Sequence, residues 1–404
     1  MNSKGAEASS MDEGLTRLPS STYVLSVCQA MNLTAAVVSV SVAALAGERI
    51  APSPGWATLP YGVQFAIVAI LTYPGALFMR QFGRKAGFLL GATMLIAAGC
   101  VGFVSVEHAS FVGLVTSHSL LGAYVAFANF YRFAAVDNLS MELRPRGVSL
   151  VVAGGVLAAL IGPWLSIGLG SAEGYAPFAL CYASFVGIGM VTMALITVWR
   201  PIPAIPVKAA SDLMVVRQQM TAPIAIAIFA SASAYMIMNL LMVQASLVMD
   251  SMHMSFDAST LAIQGHVLAM FLPSFVTGLI VVRLGFRFTL CGGFILLMAA
   301  TLLALIGIGS FGNMLSGLIL LGVGWNLSYI GGGALLAKYL TDQNRHRMQG
   351  INDSVIAICA TVGAFSPALL QTLIGWKNTN IACFLICAIG LILAWRGTRR
   401  AALG

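Results

Sequence analysis

Charge is scarce in this chain: 8% of its 404 residues are Asp, Glu, Lys or Arg, against 59% apolar. No ordinary water-soluble domain has that balance. Carboxylates are the rarest of all, and the 13 present fall in tails, loops or helix ends, with Asp137 and Asp353 nearest to membrane depth. A carrier of strongly cationic compounds, or one running on a midplane carboxylate relay, would place an acid inside the membrane. The seven cysteines, odd in number and all inside apolar stretches, form no Cys-x-x-Cys pair. That excludes a disulfide framework and a zinc site. There is no Walker loop, no HExxH and no accessible Ser/His/Asp set, so the sequence calls for neither an enzyme nor a cofactor.

What the chain has instead is twelve apolar runs, near 21–46, 56–79, 86–106, 110–134, 147–170, 175–199, 218–249, 257–282, 288–309, 311–339, 350–374 and 378–396. Each can cross a bilayer as a helix of about 20 residues. The polar segment 1–20 precedes a run too long for the core of a cleaved signal peptide, so the first helix is expected to stay. Of the 21 Lys and Arg residues, 19 fall on one face, and only Arg49 and Lys377 on the other. Basic residues are retained on the cytoplasmic side, which puts both termini there. The net charge of +8 therefore reads as topology and contact with anionic lipid heads, with no nucleic-acid partner.

The Pro-rich stretch 200–217 separates two groups of six runs. The two groups repeat each other. "FGRKAGF" is echoed by "LGFRFTL", which aligns Gly83 with Gly285 at an offset of 202; Gly147 aligns with Gly350 at 203 and Pro163 with Pro367 at 204. Such near-constant offsets indicate a duplicated six-helix unit. The expected organisation is a tail at 1–20, a bundle at 21–199, the connecting loop 200–217, a second bundle at 218–396 and a tail at 397–404.

On these features the chain resembles the major facilitator superfamily. The fold it implies is all-α integral membrane, with 12 transmembrane helices in two pseudo-symmetric six-helix bundles. That family's loop between spans two and three reads Gly-x-x-x-Asp-Arg-x-Gly-Arg-Arg. Here it stands as "ALFMRQFGRK", in which Gly83, Arg84 and Lys85 match, while Arg80 takes the Asp position, Gln81 the Arg position and Ala76 the first Gly position. The cytoplasmic gate must then be built differently, from Arg80, Gly83, Arg84 and Lys85 in one half and Arg283 and Arg287 in the other. Glycine permits the tight turn, and the basic chains can reach helix C-termini, carboxylates or lipid phosphates.

The resemblance also implies a central cavity lined by spans 1, 4, 7 and 10. All four carry a polar or aromatic stripe of helical period: Gln29, Asn32 and Ser39 in span 1; His118, Gly122, Asn129 and Arg132 in span 4; Tyr235, Met238, Asn239 and Met242 in span 7; Trp325, Asn326 and Tyr329 in span 10. Each of these could also serve a helix–helix hydrogen bond. Without a deep carboxylate, the cavity suits a neutral or weakly charged solute, or a soft metal held by sulfur.

Met238 and Met242 form Met-x-x-x-Met, and His266 with Met270 forms His-x-x-x-Met. Thioether and imidazole suit copper, especially Cu(I); methionine is also a ready gap-filler. Together with "YRFAAVD", "VVAGGVLAALIGP", "LLGVGWNLSYIGGGALL" and "QGIND", these pairs are similar to a bacterial branch of the superfamily that holds riboflavin and copper importers. The branch implies a monomeric inner-membrane carrier that imports a small solute by alternating access. Riboflavin, neutral with a flat ring and a polyol chain, would suit aromatic faces and amides; copper is the alternative. A receptor or scaffold on the same fold is a third reading, which the short loops disfavour.

Overall fold

The computed structural model describes residues 18–135, 139, 144–200, 220–306, 309–340 and 345–400. Those residues are helical almost throughout, with no strand among them. In chain order the long helices are α1 (Ser20–Ile50), α2 (Leu59–Phe82), α3 (Arg84–Glu107), α4 (Phe111–Ala128), α5 (Arg144–Gly170) and α6 (Ala179–Val198), then α7 (Ala222–Ser251), α8 (Phe256–Phe271), α9 (Ser274–Ile306), α10 (Phe311–Tyr339), α11 (Arg345–Leu373) and α12 (Gly375–Arg400). Asp137, nearly all of the connecting stretch and residues 1–17 and 401–404 of the tails lie outside the described residues.

Span eight differs from its expected form. Instead of one helix over 257–282, α8 stops at Phe271 and α9 begins at Ser274, with Pro273 between them. Proline has no N–H to continue the ladder, and its ring crowds the preceding turn. The same membrane crossing then runs on through the first part of α9 to Gly285, where the backbone turns sharply.

The duplication is visible in the backbone. Gly83 has φ 87° and ψ 155°, and Gly285 has φ 81° and ψ 166°, a region that essentially only glycine enters. Pro163 lies inside α5 and Pro367 inside α11. Gly122 of α4 meets the backbone carbonyl of Gln64 in α2, and Gly322 of α10 meets that of His266 in α8, each leaving no room for a Cβ.

Of the long apolar helices, α1 and α7 are the most deeply buried, and α2 and α11 among the least. Contacts between the halves gather toward the face opposite the basic turns. There Thr58 Oγ1 donates to Phe365 O at 2.9 Å and accepts from Ala368 N at 3.3 Å. Phe365 packs on Gly62, and Phe256 on Gly170 and Phe178, at 5.0 Å between rings. Deeper in, Phe271 packs on Gly155. Toward the basic face, α1 instead exposes Tyr23 (50%) and Val27 (45%). Among the described residues the halves thus meet on the side away from the basic turns and expose α1 toward them.

Candidate functional site

Three rings meet where α7 packs on α10. Trp325 and Tyr329, one helical turn apart, stack at 4.8 Å with 9° between planes. Tyr235 presents its edge to both, at 5.7 Å and 5.8 Å. Close approach of the helices allows this, because Gly332 sits against Ser231, whose Oγ donates to Tyr329 O at 3.4 Å. Trp325 is buried, whereas Tyr235 and Tyr329 remain partly exposed, so the aromatic group borders accessible space. The indole N–H of Trp325 is buried without a partner.

Two more unmet groups lie on α1: the amide oxygens of Gln29 and Asn32 are buried and unpartnered. Leaving such a group unpaired costs about 1–3 kcal/mol, so a polar atom kept this way is a candidate for binding a ligand. Counting roughly 1.5 Å per residue from the basic end of each helix, Asn32, Tyr235 and Tyr329 stand about 15–20 Å deep. They share a level.

Other residues of the predicted stripes are bound within their own half. His118 is fully buried, with Nδ1 3.0 Å from Gln64 Oε1 and Nε2 2.9 Å from the Tyr182 hydroxyl. Gln64 Oε1 also accepts from Ser39 Oγ at 2.8 Å. An amide oxygen can only accept, so Nδ1 carries the proton and Nε2 accepts from Tyr182. Asn239 Nδ2 donates to Ala360 O at 3.1 Å, tying α7 to α11. Asn326 ties α10 to the proline break: its Nδ2 donates to Met270 O and Ser274 Oγ, each at 2.6 Å, and its Oδ1 accepts from Thr277 at 2.6 Å. These bonds help satisfy the polar groups at an interrupted helix inside a membrane. Asn129 ends α4 and is partly exposed.

Met238, Met242 and Met270 are buried. His266 Nδ1 donates to Leu318 O at 2.7 Å, which leaves Nε2 as a bare, buried lone pair with no partner. α7 and α8, which carry the two pairs, are in contact.

At the basic face, Lys85 Nζ donates to Thr197 O at 2.7 Å and Trp199 O at 3.0 Å, capping α6. Arg287 instead lies 3.2 Å over the Trp395 ring. Arg80 and Arg283 are exposed, and Arg84 is partly buried beyond the Gly83 turn.

Gln64 and Tyr182 did not stand out in the sequence. Gln64 had a signal, as an amide in the middle of the run "YGVQFAIV". Tyr182 had none, since a tyrosine in an apolar helix is ordinary core.

A family model described as Major Facilitator Superfamily matches residues 224–403. The riboflavin transporter RfnT of Brucella anthropi is 31% identical over 91% of this chain and 93% of its own length. Two Bacillus subtilis proteins, the uncharacterized MFS-type transporters YdeG and YddS, are 26% and 27% identical over 84% and 88% of this chain and 83% and 84% of their own. The helical duplication, the shared glycine turns and this full-length likeness lead to one conclusion: the chain belongs to the Major Facilitator Superfamily and is a transporter of the branch that contains RfnT.

Proposed function

We propose that this protein carries riboflavin into the cell across the bacterial inner membrane, as a monomer with both termini cytoplasmic. The observation that carries this reading is the Trp325–Tyr329 stack with Tyr235 edge-on. A flat heteroaromatic ring lies well against such faces, and offset or edge-to-face contacts between rings contribute about 0.5–1.5 kcal/mol beyond the area they bury. The unpaired Trp325 N–H and the Gln29 and Asn32 oxygens supply a donor and two acceptors for a ring edge or for hydroxyls. The likeness to a protein described as a riboflavin transporter supports the same substrate. With the halves joined on the face away from the basic turns and α1 exposed toward them, the structure fits a carrier open to the cytoplasm, and rocking of the halves would supply alternating access.

A second reading rests on a different observation. The bare Nε2 of His266, on the helix that carries Met270 and near a helix with Met238 and Met242, suits copper as the cargo.

Uptake of labelled riboflavin and of Cu(I) into proteoliposomes separates the two. Riboflavin accumulation that is reduced in Trp325→Ala and kept in Met238→Ala is the expected result. Copper uptake abolished by Met242→Ala or His266→Ala, with no flavin uptake by the unsubstituted protein, would replace the flavin reading with the metal one.

A further inference from the structure

Arg287 stands two residues after the Gly285 turn, where α9 resumes, and it is the repeat's counterpart of Lys85. Lys85 finds carbonyl acceptors because α6 ends at Val198 and leaves its last carbonyls open. Beside Arg287 the partner helix α12 continues to Arg400, so its carbonyls at the level of Trp395 are taken up by its own ladder. The guanidinium therefore lies flat on the Trp395 ring at 3.2 Å, and its Nε and Nη2 are buried without an acceptor. Trp395 itself is 44% exposed, as befits a ring at the membrane–water boundary. Basic residues stand close by: Arg283 one turn back in sequence and Arg396 next to Trp395 are both exposed, and Lys338 Nζ sits 5.5 Å over the ring of the neighbouring Phe286.

We infer that this platform binds the phosphate of an anionic membrane phospholipid at the basic face of the C-terminal half. A guanidinium presents a planar fork of donors that matches a phosphodiester. Trp395 holds the fork in place through a cation–π contact, which lowers the cost of ordering it. At this depth of a bilayer, lipid phosphates are the acceptors at hand. The surrounding basic residues select lipids with net negative charge over zwitterionic ones.

The test is to titrate the purified full-length protein in detergent with phosphatidylglycerol and to count bound lipid by native mass spectrometry. The unsubstituted protein should retain phosphatidylglycerol in preference to phosphatidylcholine. Arg287→Gln should weaken that retention about fivefold, with Arg287→Lys falling between the two. Equal retention of the two lipids, or equal affinity of the unsubstituted and Arg287→Gln proteins, overturns the assignment. So does release of the lipid by excess inorganic phosphate, which would mark a free-anion site. If Arg287→Gln does not fold, Trp395→Leu removes the platform while leaving the charge; unchanged affinity in that variant also overturns the inference.

Discussion

After Gly83 the N-terminal half sends Lys85 to the carbonyls of Thr197 and Trp199; after Gly285 the C-terminal half lays Arg287 on Trp395 with two nitrogens unmet. The imidazoles differ in the same sense. His118 has both ring nitrogens bonded within the N-terminal bundle, whereas His266, whose backbone occupies the place that Gln64 holds in the other half, keeps one nitrogen free of any partner. The aromatic stack with its unpaired indole N–H also belongs to the C-terminal half. A duplicated fold can thus keep its turns and close helix contacts while its halves diverge. Both halves keep buried polar atoms without a partner, Trp199 Nε1 in the N-terminal one and His266 Nε2 and Trp325 Nε1 in the C-terminal one; the halves differ in how their histidines are bonded and in what the paired basic residues meet.

The sharpest way to break this contrast is to remove each histidine. His118→Ala strands the Tyr182 hydroxyl and opens the network through Gln64 to Ser39, and should cost about 2–4 kcal/mol. His266→Ala removes a single bond and should cost about 1 kcal/mol. Thermal unfolding in detergent measures both, and equal losses would erase the distinction between the halves.

Gly83→Ala and Gly285→Ala probe what the halves share. Each forces a Cβ into a backbone region reserved for glycine, at about 1–3 kcal/mol, and the two losses of stability should match. A large difference would mean that the turn bears load in only one half.

Trp325→Ala should raise the KM for riboflavin uptake about tenfold, the equivalent of one aromatic stacking contact, while Trp325→Phe, which keeps a ring but no N–H, should fall between. An unchanged KM would move recognition away from the C-terminal aromatic group. The smallest effect is expected at the basic face. Lys85→Ala, which uncaps α6, should lower stability by about 0.3–1 kcal/mol, and Arg287→Gln in lipid-free detergent should lose only its cation–π contact with Trp395, about 0.5–1 kcal/mol. A clearly larger loss at Arg287 would reveal a protein acceptor for it.

The apolar runs, the half-chain repeat and the asymmetry of the basic residues determined the membrane class, the family and the paired glycine turns, because the cost of polar atoms in lipid and the need for positive φ are written in residue type and spacing alone. Periodicity also placed Tyr235 on a stripe of span 7 and Trp325 and Tyr329 on a stripe of span 10, and the family resemblance turned both stripes toward one cavity. It could not tell which of the remaining polar residues reach a ligand. Asn239 and Asn326 lie on the same stripes, yet their amides are taken up by Ala360, Met270, Ser274 and Thr277, and His118 is taken up by Gln64 and Tyr182. A polar side chain in a membrane helix must avoid lipid whether it bonds the next helix or lines a cavity, so both duties leave the same trace in the sequence. Only the tertiary structure, by placing one helix against another, decided between them.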